Sequence, residues 1–144
     1  MEINIKPTSE CCQYYIDAEK GVVVCRIVDT KFLVYNFIGP DHCQLLRDSK
    51  INRHMMMPAS FTGVARCAPG DTFNEAVGRE LAYTKARTKL NTSFFKRANY
   101  FVNEIDRRVG ELTAKFNKYG TQLENNHEKH MNHLKELIGE NKEE

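Results

Sequence analysis

No apolar run in this 144-residue chain approaches the roughly 20 residues that a membrane-spanning helix needs. The opening MEINIKPTSE lacks the basic and apolar regions of a secretory signal, so the expected location is the cytoplasm of the cell that makes the chain. There are five cysteines, an odd number, with Cys11 and Cys12 adjacent and Cys25, Cys43 and Cys67 scattered. That spacing excludes a disulfide framework. C-x-x-C is missing, and His42 beside Cys43 is the one close Cys/His pair, which falls short of a zinc site. Also missing are G-x-S-x-G, H-E-x-x-H and any carboxylate pair at a recognisable spacing. A cysteine nucleophile working with His42 or His54 has nothing to select one thiol over the others. The expectation is a non-enzymatic protein without cofactor or metal. The net charge is only +2, which excludes a polycation, so affinity for nucleic acid would have to come from a local patch.

The length suits one domain with a modest core. Val22–Val28 is rich in β-branched residues, Asp29-Thr30 reads as a turn, and Lys31–Ile38 continues the apolar pattern up to Gly39-Pro40. This predicts a β-hairpin buried under a helix or in a subunit interface. Ile3–Ile5 reads as a further edge strand, 41–50 as a short helix opened by Asp41, and 60–67 as a strand. Met55, Met56 and Met57 read as core filling.

Beyond Pro69-Gly70 the period changes. Thr72 with Glu75 three residues on forms a capping box, which predicts a helix from about residue 73. Gly78, Ala82 and Ala86 lie on it at four-residue spacing, a stripe of small residues suited to lying flat on a sheet. A second helix is predicted from Thr92-Ser93. From Phe95 to Leu123 its apolar residues alternate steps of three and four, a heptad seam, and a step of four to His127 shifts the frame as a stutter. The small β half cannot bury such a seam. The sequence therefore predicts homo-oligomerisation through this helix, or a folded-back helical hairpin. The fold class expected is α+β: a small antiparallel sheet, a helix packed on it, and a long C-terminal assembly helix. The organisation is 1–90 globular, 91–140 helical, and 141–144 a tail.

Charge is segregated. From Leu81 to Asn103 there is no acidic residue, while Lys85, Arg87, Lys89, Lys96 and Arg97 all occur, interleaved with Tyr83, Phe94, Phe95, Tyr100 and Phe101. Cations beside stackable rings suit nucleotides, either as small ligands or in a nucleic-acid strand. The candidate ligand-binding residues are Arg26, Tyr83, Arg87, Phe94, Lys96, Arg97, Tyr100 and Arg107, and Arg53 and Arg66 are candidates to close over the same region. The competing reading is a solvated helix face that balances an acidic tail. The turn Ala68–Thr72 opens a helix N-terminus where an anion could bind, but Asp71 and the capping box favour plain capping. His127, His130 and His133 cannot all aim at one ion from a single helix and read as surface and seam residues.

The stretch from Phe61 to Lys89 resembles a pattern in small bacteriophage proteins, carried here by Gly63, Ala65, Cys67, Pro69, Asp71, Phe73, Gly78, Leu81, Ala82 and Arg87. In these proteins a β-rich part passes through Cys-x-Pro-x-Asp-x-Phe into a Gly-x-x-x-Ala helix. The β-then-helix layout also resembles the Thoeris anti-defence sponges, which bind cyclic ADP-ribose-type signals or cyclic oligonucleotides in helix-assembled oligomers. The resemblance implies a phage-encoded protein in the host cytoplasm that counters a defence system by sequestering such a signal. The alternatives are a nucleic-acid-binding protein, or an inhibitor that grips a host defence or nuclease protein through its helical region.

Overall fold

The computed structural model describes residues 12–140. Strands β1 (Cys12–Asp17), β2 (Val22–Val28) and β3 (Ser60–Arg66) form one antiparallel sheet in that order, with β2 in the middle. Between β2 and β3 the chain winds through helix α1 (Leu33–Ile38), a 3-10 segment (Pro40–Arg47) and helix α2 (Ser49–Met55). After β3 comes one continuous helix, α3 (Glu75–Glu140), of 66 residues. The α+β expectation holds. By its internal contacts the chain divides into a unit ending at Phe101 and a second unit beginning at Val102.

Period-two burial sorts the sheet. Val23, Cys25 and Ile27 of β2 and Phe61, Gly63 and Ala65 of β3 are buried, while the residues between them are half-buried or exposed. The buried face meets Ala82, Ala86, Leu90 and Phe94 of α3 in one core. Small residues set the approach. A Cβ placed on Gly63 would lie 2.0 Å from the carbonyl oxygen of Ala82 and 2.5 Å from the nitrogen of Ala86. A Cβ on Gly78 would lie 2.7 Å from Cγ2 of Val23. The small-residue stripe therefore does what its spacing predicts, letting helix backbone rest on strand backbone. On β1, Tyr14 pairs with Cys25 in register, and Cζ of Arg79 from α3 sits 4.9 Å above its ring. Burial, then the hydrogen bond with the Cys25 thiol, pushes the Tyr14 phenol up to about 12.

The outer edge of β3 is covered as well. Nζ of Lys85 donates to the carbonyl of Val64 at 3.0 Å, and Nζ of Lys89 donates to that of Thr62 at 2.8 Å. One helical turn separates the two lysines and two strand residues separate the two carbonyls, so the two repeats match closely (about 6 Å against about 6.6 Å). Carbonyls that would otherwise invite another strand are taken.

Several expectations are corrected. Residues 31–38 are not the partner strand of β2. Asp29 adopts a left-handed backbone (φ 58), Thr30 is buried with its hydroxyl donating to the carbonyl of Pro58, and 33–38 turn helical. Leu33, Val34, Phe37 and Ile38 also fit one side of a helix, and β1 and β3 already occupy both edges of β2. The predicted helix over 41–50 is instead the 3-10 segment followed by α2, which Asp48 caps by accepting from the N–H groups of Lys50 (2.9 Å) and Ile51 (3.2 Å). Met55 and Met57 enter the core, but Met56 is 54% exposed.

The helix predicted from residue 73 starts at Glu75. Its cap is Asn74, whose Oδ1 accepts from the N–H of Val77 at 3.1 Å, and Thr72 lies outside. No second helix starts at Thr92-Ser93. The hydroxyl of Ser93 accepts from Nη1 of Arg97 at 2.5 Å instead of capping, and α3 runs through. That continuity also removes the folded-back hairpin within 75–140. The Ile3–Ile5 strand and the 141–144 tail lie outside the described residues. Among the described residues no helix is long and apolar enough to cross a membrane.

Candidate functional site

Residues 96–100 of α3 lie beside the end of α2. Nε of Arg97 donates to the carbonyl of Met56 at 2.9 Å, and its Nη1 donates to the carbonyl of Ser93 at 3.0 Å. Three residues on, Tyr100 stacks on His54, with ring centroids 4.4 Å apart and planes inclined by 29°. Lys96 and Arg53 flank these groups in sequence and are exposed, as is His54. Arg97 and the ring stack thus meet where a two-turn helix ends on a long one, with Lys96 one turn before Tyr100 and Arg53 next to His54 in the chain.

The other sequence-predicted residues scatter. Phe94 is core, edge-on to Phe37 at 5.1 Å. Tyr83 and Arg87 are half-buried along α3, with Tyr83 packed against the core. Arg26 belongs to the sheet face opposite α3, where its Nε donates to Oγ of Ser60 at 3.1 Å. Arg107 belongs to the second unit, where Nη2 reaches Oε1 of Glu104 at 2.6 Å and Nη1 reaches Oε1 of Glu111 at 2.5 Å. The structure therefore brings together Lys96, Arg97 and Tyr100, and not the full predicted set. His54 joins them through its ring, and Arg53 precedes it in the chain. Arg53 was a candidate from charge alone. The ring of His54 had no sequence signal, because its stacking depends on how α2 docks.

Electrostatics separate two groups of cations. Lys85, Arg87, Lys89, Lys96 and Arg97 form no ion pair among the described residues. Where three of them are hydrogen-bonded, the acceptors are neutral carbonyls or the Ser93 hydroxyl, which leave the positive charge uncompensated. Arg107 and Arg108 instead both bind Glu104. The hydrogen bond from Arg107 leads in holding the Glu104 carboxyl down at about 2.

Concavities border α3, among them the following two. One, of about 250 Å³, lies between Phe73, Val77, Leu81, Val23 and Ala65, and its lining is mainly apolar. The other is an open groove of about 390 Å³ between Val64, Thr84, Lys85, Thr88 and Lys89, on the cationic side. His133 lies 3.8 Å from Glu136 through Nδ1, and no group of three metal-ligating side chains converges among the described residues. Compared with known proteins, the chain matches no family model, no curated protein and no solved structure.

Proposed function

We propose that this chain is a non-enzymatic binding protein that holds a nucleotide-type anion where residues 96–100 of α3 meet the end of α2. The observation that carries this reading is Arg97 docked at the end of α2 beside the His54–Tyr100 stack, with exposed Arg53 and Lys96 adjoining in sequence and none of the three cations paired to a carboxylate among the described residues. Uncompensated cations favour phosphate, and a ring stack whose His54 member is exposed offers a π-face to a base. The guanidinium of Arg97 is already oriented by Met56 and Ser93, so little rotamer freedom remains to be lost on binding. The resemblance to phage anti-defence proteins gives the context for this reading: capture of a cyclic nucleotide or ADP-ribose-type signal in the host cytoplasm.

A second reading is favoured by the continuation of the cationic row to Lys85 and Lys89 beside the open groove. From residue 85 to 96 the helix rises about 16 Å, which spans several phosphates of a single strand and suits nucleic acid. A thermal-shift screen with cyclic nucleotides, ADP-ribose derivatives and short oligonucleotides separates the two. A rise of several degrees with a small nucleotide, lost in Lys96→Glu and Arg53→Glu, is expected on the first reading, because a ligand of the folded state stabilises it. Oligonucleotide binding with steep salt dependence, and no response to small nucleotides, selects the second. No response to either at low salt overturns both and directs attention to a host protein as partner.

A further inference from the structure

The second unit carries a face that is left open among the described residues. Leu112, Phe116, Tyr119, Leu123, Met131, Leu134 and Ile138 are each between 40% and 67% exposed, and His127 is exposed among them. At 100° per residue these eight positions fall within an arc of about 120° on α3. Their successive steps are 4, 3, 4, 4, 4, 3 and 4, a series that reads identically from either end. The irregular step, from Leu123 to His127, is the central one, so the stretch has a midpoint at residue 125.

We infer that two copies of this chain pair through this face, antiparallel, about a twofold axis at residue 125. In that arrangement Leu112 meets the partner's Ile138, Phe116 the partner's Leu134, Tyr119 the partner's Met131, and Leu123 the partner's His127. Each of these eight positions finds a counterpart in an isologous interface, while Leu137, exposed on the same arc, falls opposite the partner's Thr113. A stutter locally unwinds a coiled coil, so a partner helix must change its winding at the same level. A second copy turned end for end does so because the stutter is central. A parallel pair would align the stutter too, but it would set Phe116, Tyr119 and His127 each against its own copy. The antiparallel pair gives Phe116 a leucine, and gives Tyr119 a thioether, a contact aromatic rings favour.

Area and charge agree with a second copy. With full side-chain areas of about 150–250 Å², the half-exposed seam offers about 800 Å² per copy, the amount a stable pair of standard size buries on each side. Between 112 and 138 the chain has four lysines (115, 118, 129, 135) against three glutamates (124, 128, 136), net +1, so two copies repel little. The inference is independent of the ligand reading, which concerns residues 53–100.

The test uses the full chain with the photo-crosslinking amino acid p-benzoylphenylalanine in place of Phe116, together with light scattering of the unmodified protein. The expected result is a mass of two chains and a crosslink into the tryptic segment that contains the partner's Leu134. A mass of one chain, a crosslink into the partner's own residue-116 segment, or a two-chain mass without crosslinking would each overturn the proposal. Leu134→Glu, which changes a residue that is half exposed in the single chain, is expected to halve the mass. A pair that survives this substitution would also overturn it.

Discussion

The part of α3 from 75 to 101 and the part from 102 to 140 belong to one helix, yet they carry opposite kinds of side chain. The first puts Gly78, Ala82 and Ala86 on its inner side, where strand backbone comes within contact distance. The second puts Leu112, Phe116, Tyr119 and Leu123 on a line where they remain at least half exposed. Both follow the three-and-four spacing of an amphipathic helix, so spacing alone does not tell them apart. Side-chain size does. A stripe of alanine and glycine excludes a second layer of side chains and requires backbone to lie against it. A stripe of leucine and aromatics excludes backbone and requires interdigitating side chains. Charge differs as well: among the described residues Lys85, Arg87, Lys89, Lys96 and Arg97 of the first part form no ion pair, whereas Arg107 and Arg108 of the second bind Glu104, and Arg107 also binds Glu111.

The most direct way to break this division is Gly63→Ala. The added methyl meets helix backbone at 2.0 Å, and no rotamer relieves that. The expected cost is about 3 kcal/mol, at the upper end for overpacking, and a lowering of Tm by about 10–20 °C in thermal denaturation. A loss below about 1 kcal/mol would mean that the helix is not held where the small stripe puts it.

Paired truncations sharpen the comparison. Leu90 is fully buried, so Leu90→Ala should cost about 2–4 kcal/mol at any protein concentration. Leu112 is 55% exposed in the single chain, so Leu112→Ala should cost less than about 0.5 kcal/mol in dilute solution and act on stability only where the chains associate. Denaturant titration of both variants at two protein concentrations measures the difference.

Removing both lysines from the β3 edge, Lys85→Ala with Lys89→Ala, should cost about 1 kcal/mol. That figure is discounted because both ammonium groups are exposed, and the variant should also scatter more light on heating as the edge carbonyls become available. Unchanged aggregation would remove the protective role from these contacts.

The smallest effect concerns acid. Glu104 titrates at about 2 when folded, below its ordinary value of 4.5, so its contribution is complete above about pH 4.5 and is lost as pH falls toward 2. Helicity followed by circular dichroism through that window should decline in the native chain and change less in Glu104→Gln.

Much of this division was legible in the sequence. The small stripe, the seam and its stutter, and strands β2 and β3 all follow from periodicity, which reports how a segment is buried. The sequence signals that failed concern choices among partners. Leu33–Ile38 has an apolar pattern that satisfies a strand or a helix, and the supply of free edges on β2 decided it. Thr72 and Asn74 are both good caps, and the preceding turn, where the N–H of Asp71 donates to the carbonyl of Ala68 at 3.1 Å, left Asn74 at the helix start. Ser93 could have capped a new helix, but Arg97 one turn later took its hydroxyl. The candidate site was half legible: charge picked out Lys96 and Arg97, aromatic content picked out Tyr100, and the docking of α2 supplied His54.

The lysines that seal β3 also bear on how the chain is made. Synthesis runs from the N-terminus, so β3 exists before the residues that cover its edge. Those residues follow within 21 and 27 positions of the carbonyls they bind. At about 5–20 residues per second, the ribosome adds them within about 1–5 s of the strand itself. The residues that guard the edge therefore precede the long apolar stretch from Leu112 to Ile138 in the order of synthesis.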